Sequence, residues 1–318
     1  MMLNLKIYVG RLLSCLAFLL AILHGSEVYG SSPGSGSSPE TKIDLYNQEK
    51  FNLFVAVKSQ KFYSDVNETE CIKLPNDGEN RAVPKKSQTE LEFTLIPHDM
   101  GWMRMWNLQP KKGVSPSTAL KDLTIRHENP VVIGCETVIS IAVLHCILEA
   151  LTPKIFDAYF TKGFSIGHEV LGEFLSICEG KPIPRERGEI GYIKNITSYF
   201  YRHPHGSANG ENVICTGKNA RKEPQYIGLG ALFKKGPQTL EQIYDDFKTE
   251  FLKEPTAKEL KTIQEKNYSC PDYEQLKNCK DKQIWQDFFH KAQTSAGDNV
   301  AVINIEKIKE IRKKFKDA

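Results

Sequence analysis

Between Asn129 and Leu151 the chain reads "NPVVIGCETVISIAVLHCILEAL". After the break at Asn129-Pro130, apolar side chains from Cys135 to Leu151 occupy most faces of a helix, so this helix is expected in the interior and not on the surface. "LTPK" ends it. Downstream, "GEIGYIKN" (188–195), "GENVICTG" (210–217) and "QYIGLGALF" (225–233) are short, glycine-bounded, β-rich runs. They predict sequential antiparallel strands. "TLEQIYDDFKTEFL" then returns to helical periodicity. A central apolar helix followed by a strand meander is an α+β plan, with the cysteine-bearing helix packed on an antiparallel sheet.

Upstream the pattern is mixed. "FNLFVAV" reads as a strand, "NETECIKLPNDGENRAVPKK" as loop, and "ELEFTLI" alternates as a strand does. Trp102 and Trp106 in "GWMRMWNLQPKKGVSPS" fall at helix-turn spacing, and "SPSTALKDL" opens as a short helix capped by Ser115 ahead of Pro116. Beyond about Pro255 the chain is charged and helix-prone, and its basic end "KIKEIRKKFKDA" reads as a solvated helix face. No internal repeat is present.

The first residues change the setting. Lys6 and Arg11 precede the apolar run "LLSCLAFLLAIL", and "HGSEVYGSS" supplies small residues for cleavage near Gly30. Residues 1–30 are expected to be a secretory signal, since the apolar run is shorter than the ~20 residues that span a bilayer. Residues 31–40, "SSPGSGSSPE", are expected to be a linker, so the folded part begins near Thr41. The expected setting is secreted or periplasmic, with no membrane attachment after cleavage. A chain of 318 residues with 40% hydrophobic content has room for a sizeable core, and a formal charge of +3 leaves no electrostatic footprint for nucleic acid.

Removing Cys15 with the signal leaves seven cysteines, Cys71, Cys135, Cys146, Cys178, Cys215, Cys270 and Cys279. An odd number in an exported monomer means at least one unpaired thiol. Cys270 and Cys279 are the expected local bridge, and Cys146, inside the apolar helix, is expected to be a small buried hydrophobe.

Cys135 is the candidate nucleophile. In the first turn of a helix, unpaired backbone N–H groups and the positive end of the macrodipole lower a thiol pKa and can receive an oxyanion. A base should lie on a neighbouring strand. His203 and His205 precede a strand instead of lying in one, and His145 is ten residues down the helix, about 15 Å along its axis at ~1.5 Å per residue. Glu211 heads the run "GENVICTG". Reference values put proton transfer from thiol to carboxylate uphill by ~4 units, roughly 5.7 kcal/mol, so the pair needs a dry site that raises the Glu pKa while the helix end lowers that of Cys.

The segments "GVSPSTALKDL…VVIGCETVISIAVLHCILEALTPKIFDAYF" and "GEIGYIKN…GENVICTG…YIGLGALF" resemble, in order, the core of the bacterial spore-coat type protein-glutamine gamma-glutamyltransferase over roughly residues 100–253. This resemblance implies a papain-like or NlpC/P60-like fold in which Cys135 is the nucleophile and Glu211 its partner. It makes residues 41–253 the catalytic domain and 254–318 a charged helical C-terminal extension. Trp102, Trp106 and Tyr226 become candidate walls of a substrate tunnel. Glu136 and Asn212, next to the pair in sequence, are candidate auxiliary residues. Four departures accompany the likeness. Gly134 stands where the family has a Glu, no His lies between Tyr226 and Gly230, Ala208 and Asn209 take the place of a Trp, and the spore-associated members lack an export signal.

By the same resemblance, Cys135 attacks the side-chain amide of a protein Gln, Glu211 protonates departing ammonia, and a Lys amine resolves the thioester to an isopeptide. The partners are proteins with accessible Gln and Lys. No metal or organic cofactor is expected, since spacings such as C-x-x-C or H-E-x-x-H are missing. A secreted amidase or deamidase, a cell-wall peptidase of the NlpC/P60 type, and a non-catalytic binding module are the alternatives.

Overall fold

The computed structural model describes residues 43–73, 91–96, 105–124, 131–132, 135–161, 164–166, 172–295 and 300–316. The expected signal and linker, Trp102 and Gly134 lie outside them.

The architecture is α+β. Helix α1 (Gln48–Thr69) is followed by β1 (Ile72–Lys73), β2 (Leu91–Ile96), β3 (Met105–Pro110), α2 (Pro116–Asp122) and β4 (Val131–Val132). Then come the apolar helix α3 (Cys135–Leu151), α4 (Pro153–Tyr159), β5 (Phe164–Ile166), β6 (Leu175–Ile177) and β7 (Ile190–Lys194). A short α5 (Tyr199–Arg202) leads into β8 (Gly210–Lys218) and β9 (Pro224–Ile227), and β10 (Gln238–Thr239) into α6 (Leu240–Leu252). The chain closes with α7 (Ala257–Lys266), α8 (Pro271–Leu276), α9 (Lys282–Thr294), β11 (Val300–Ile303) and α10 (Ile305–Lys314). The main sheet has the strand order β10-β9-β8-β7-β11-β6, with every neighbouring pair antiparallel.

The expected meander is present as β7-β8-β9, with Ile193 opposite Glu211 and Tyr192 opposite Asn212. Helix α3 is the hub of the core. From Val138 to Leu151 nearly all its side chains are buried, the outward Glu149 excepted, as its apolar circumference requires. It packs on α1 where both helices carry small side chains. Ser59 Oγ lies 3.6 Å from Cys146 Sγ, and Cys146 Sγ approaches the Val55 carbonyl oxygen at 3.8 Å. Cys146 is the buried small residue expected, and burial pushes its thiol up to about 12. Ser115 caps α2 by accepting from the Thr118 N–H.

Three expectations are corrected. "FNLFVAV" is part of helix α1, not a strand. Phe51, Phe54, Val55, Phe62 and Val66 recur at three-, four- and seven-residue intervals and form its buried stripe, so the helical period outweighs the local β-propensity. Trp106, at helix-turn spacing from Trp102, lies in strand β3, opposite Leu95 of β2 and Ile166 of β5. Cys270 and Cys279 are separate thiols, with sulfurs that approach the carbonyls of Ser198 at 3.6 Å and Asp281 at 3.7 Å.

The stretch after residue 253 is mostly helical, as its composition suggests, yet it also supplies β11. This strand sits between β7 and β6, with Ala301 facing Ile190 on one side and Ile177 on the other. Its burial is complete at Val300, Ala301 and Ile303. The C-terminal segment therefore completes the main sheet.

Candidate active site

Helix α3 begins at Cys135, so the sulfur stands at the first turn of the most buried helix, and the residue itself is half-buried. The geometry is the one that favours a thiolate, because the first N–H groups of a helix have no intrahelical acceptor. The Asn212 side chain of β8 reaches this sulfur. Its Nδ2 donates to Cys135 Sγ at 3.2 Å, and Asn212 is only 7% exposed.

Glu211 precedes Asn212 in the same strand. Its Oε2 is shut off from solvent and accepts no hydrogen bond. A carboxylate without water or donors is costly, so burial, aided by the negative Asp246 of α6, raises its pKa to about 8. This is the solvent-excluded carboxyl that the chemistry of a Cys–Glu pair needs. At neutral pH it carries a proton.

Tyr63 of α1 feels the charge of both groups. Buried at 1% exposure, its phenol is held protonated far above the usual range, first by burial and then by the negative charges of Cys135 and Glu211. Sequence reasoning did not single out Tyr63. Its signal is a phenol in the buried stripe of α1, and only the packing of α1 on α3 and β8 gives it meaning.

The remaining expected residues are dispersed. Tyr226, expected as a tunnel wall, is 1% exposed, and its hydroxyl donates to the Pro184 carbonyl oxygen at 2.7 Å. It is a packed core position of β9, near Cys215 and Tyr244. Glu136 is the second residue of α3, and its side chain lies outside the described residues. His145 lies against Phe62, their rings tilted with centroids 5.2 Å apart, and burial lowers its pKa to about 4. His203 lies against Glu259 and the Phe251 carbonyl oxygen, and His205 against Thr262, so both serve the C-terminal segment. Among the described residues no group of three or more His, Cys, Asp or Glu could hold a metal ion.

The family model for protein-glutamine gamma-glutamyltransferase matches residues 81–280, well over half of the chain and spanning both Cys135 and Glu211. The chain belongs to this family. It is an acyltransferase that acts on proteins. Among solved structures, "Transglutaminase from Geobacillus stearothermophilus (without C-terminal extension)" is similar at 17% identity, covering 67% of this chain and 86% of that chain with a TM-score of 0.41. A comparison with curated proteins found no match.

Proposed function

We propose that this transglutaminase is an exported enzyme that joins Gln and Lys side chains of proteins through a Cys135 thioester, with Glu211 carrying the proton. The observation that carries the reading is a buried Glu211 carboxyl oxygen with no hydrogen-bond partner, on the strand whose next residue, Asn212, donates to the Cys135 sulfur. The pKa of about 8 supplies the protonation state that the first half-reaction needs.

The chemistry balances with these two groups alone. The Cys135 thiolate attacks the γ-carbon of the Gln amide, a C–S bond forms, and the carbonyl pair moves onto oxygen. As the oxyanion collapses, the C–N bond breaks and protonated Glu211 gives its proton to the departing nitrogen, releasing ammonia. Glu211 is then a carboxylate. A neutral Lys amine attacks the thioester, Glu211 takes a proton from that nitrogen, and collapse expels the thiolate. The enzyme returns to thiolate and protonated carboxyl. In a dry site the proton stays with this pair instead of leaking to water.

Export is supported by Lys6, Arg11 and the apolar run from Leu12 to Leu23 ahead of small residues near Gly30. The acyl-transfer reading is tested by incubating a Gln-rich protein with the enzyme, with and without a primary amine, measuring ammonia and mapping Gln–Lys crosslinked peptides by mass spectrometry. Ammonia together with amine-dependent crosslinks supports it. Release of ammonia with Gln converted to Glu, and no crosslink in the presence of amine, makes the enzyme a deamidase and rejects it.

A further inference from the structure

We propose that Asn212 is the direct partner of the Cys135 sulfur and acts on it as a neutral hydrogen-bond donor, first to the thiolate and then to the substrate oxyanion. The assignment rests on the acyl-transfer reading above and refines it, because it separates the group that handles sulfur from the group that handles nitrogen. The side-chain amide nitrogen stands 3.2 Å from Sγ, at hydrogen-bond distance. Of the two polar residues at the head of β8, Asn212 is the one whose side chain is hydrogen-bonded to Cys135.

The position is rigid. Asn212 is opposite Tyr192 in the β7-β8 ladder, and on the other flank of β8 the backbone of Gly228 comes so close that a β-carbon there would stand 2.9 Å from the Asn212 carbonyl oxygen. The buried amide is therefore preorganised. An amide donor suits the sulfur for a second reason: it has no titration of its own, so it stabilises the thiolate at every working pH without competing for the proton that Glu211 must carry.

The same donor serves the next state. When sulfur attacks the amide carbon, the negative charge leaves sulfur for the carbonyl oxygen, which is bonded to the same carbon as the new C–S bond. A fixed N–H beside the sulfur is then beside the oxyanion as well. It can follow the charge with little rearrangement, together with the backbone N–H groups at the start of α3.

The test is the pH dependence of iodoacetamide alkylation at Cys135, located by peptide mass spectrometry, for the wild type and for Asn212→Ala, Asn212→Asp and Asn212→Gln. Loss of a hydrogen bond to a charged acceptor should raise the apparent thiol pKa by about 1–2 units in Asn212→Ala. Asn212→Asp, which sets an acceptor against the sulfur, should raise it further, and Asn212→Gln, which keeps the donor, should recover part of the shift. Amine incorporation by Asn212→Ala should fall roughly 10²–10³-fold in kcat, with little change in KM for the Gln protein. A merely structural Asn would alter the melting temperature without moving the alkylation profile. Should the alanine chain fail to fold, the near-isosteric Asn212→Asp carries the measurement. Alkylation profiles that coincide with the wild type in the folded variants overturn the assignment. A wild type that incorporates no amine, with the thiol shift still present in the variants, overturns the acyl-transfer reading alone.

Discussion

The backbone of Gly228 in the turn after β9 presses against Asn212 of β8: a β-carbon at residue 228 would stand 2.9 Å from the Asn212 carbonyl oxygen and 2.8 Å from the Phe233 ring. No side chain fits without moving one of them. Gly228→Ala should therefore displace the strand at the residue that touches the Cys135 sulfur. Overpacking of this kind costs about 1–3 kcal/mol of stability. A small shift at a reacting group costs more in rate, and amine incorporation is expected to drop by roughly 10–100-fold. Initial rates and thermal unfolding of the variant check both, and a fully active, equally stable Gly228→Ala would show that this approach positions nothing.

Burial of Glu211 should appear in the pH dependence of stability. Its pKa is raised in the folded state, from 4.5 to about 8, so between those values the folded chain binds more protons than the unfolded one. Stability from this group is full below about pH 4.5 and is lost as pH rises through 8. Glu189 acts with the same sign. It is buried, accepts from the backbone N–H groups of Arg185 and Glu186 at 2.6 and 3.0 Å, and is raised to about 7. Removing only the Glu211 titration isolates it. Glu211→Gln should match the wild type in melting temperature near pH 5 and exceed it by a few degrees near pH 9, while losing most transamidation at every pH. Melting curves across that range decide this, and a difference that does not grow with pH would contradict the buried carboxyl.

The thiols should separate by reactivity. Cys146 and Cys215 are buried and pushed up to about 12, and Cys71 is buried and raised as well, in each case first by desolvation. Cys135 is only half-buried, at a helix start, with an amide donor on its sulfur. A brief exposure of the native protein to substoichiometric iodoacetamide should modify Cys135 well before those three. Peptide mapping reads the order, and earlier modification of Cys146 or Cys215 would mean that α3 does not hold its place in the core.

Truncation should be costly at the C-terminus. Strand β11 is hydrogen-bonded on both sides, to β7 and to β6, and Val300, Ala301 and Ile303 are buried in the sheet. A chain ending at residue 295 would leave two open strand edges and uncover the β7 side of the sheet. It should aggregate or melt far below the full-length protein, as light scattering and calorimetry would show. A stable, active truncated chain would make β11 dispensable.

How much of this was legible in the sequence depends on range. The buried helix from Cys135 and the strands β7 and β8 could be read because their patterns are unbroken and their turns carry glycines, whereas of the run 225–233 only the start is strand, Ala231–Lys235 forming a 3-10 turn. The cap at Ser115 is a local rule obeyed locally. The nature of α1 was missed because Phe, Val and Ala side chains in a seven-residue window fit a strand as well as a helix, and only the repeat through Val66 separates them. β11 was missed because "VAVI" is four residues long inside a charged region, and its pairing with β7 is more than a hundred residues away. At the site, Cys135 and Glu211 are residue types with known chemistry, whereas the role of Tyr63 depends on α1 crossing α3 and β8. Tyr226 shows the reverse. An aromatic side chain named for a tunnel wall proved to be core, with its hydroxyl bound to Pro184.

The central claim is that the Cys135 sulfur carries the acyl group. It is tested most directly by incorporation of a fluorescent primary amine into a Gln-containing protein, comparing the mature wild type with Cys135→Ala. The predicted result is steady incorporation by the wild type and none by the folded alanine variant. Equal incorporation by the two would contradict it.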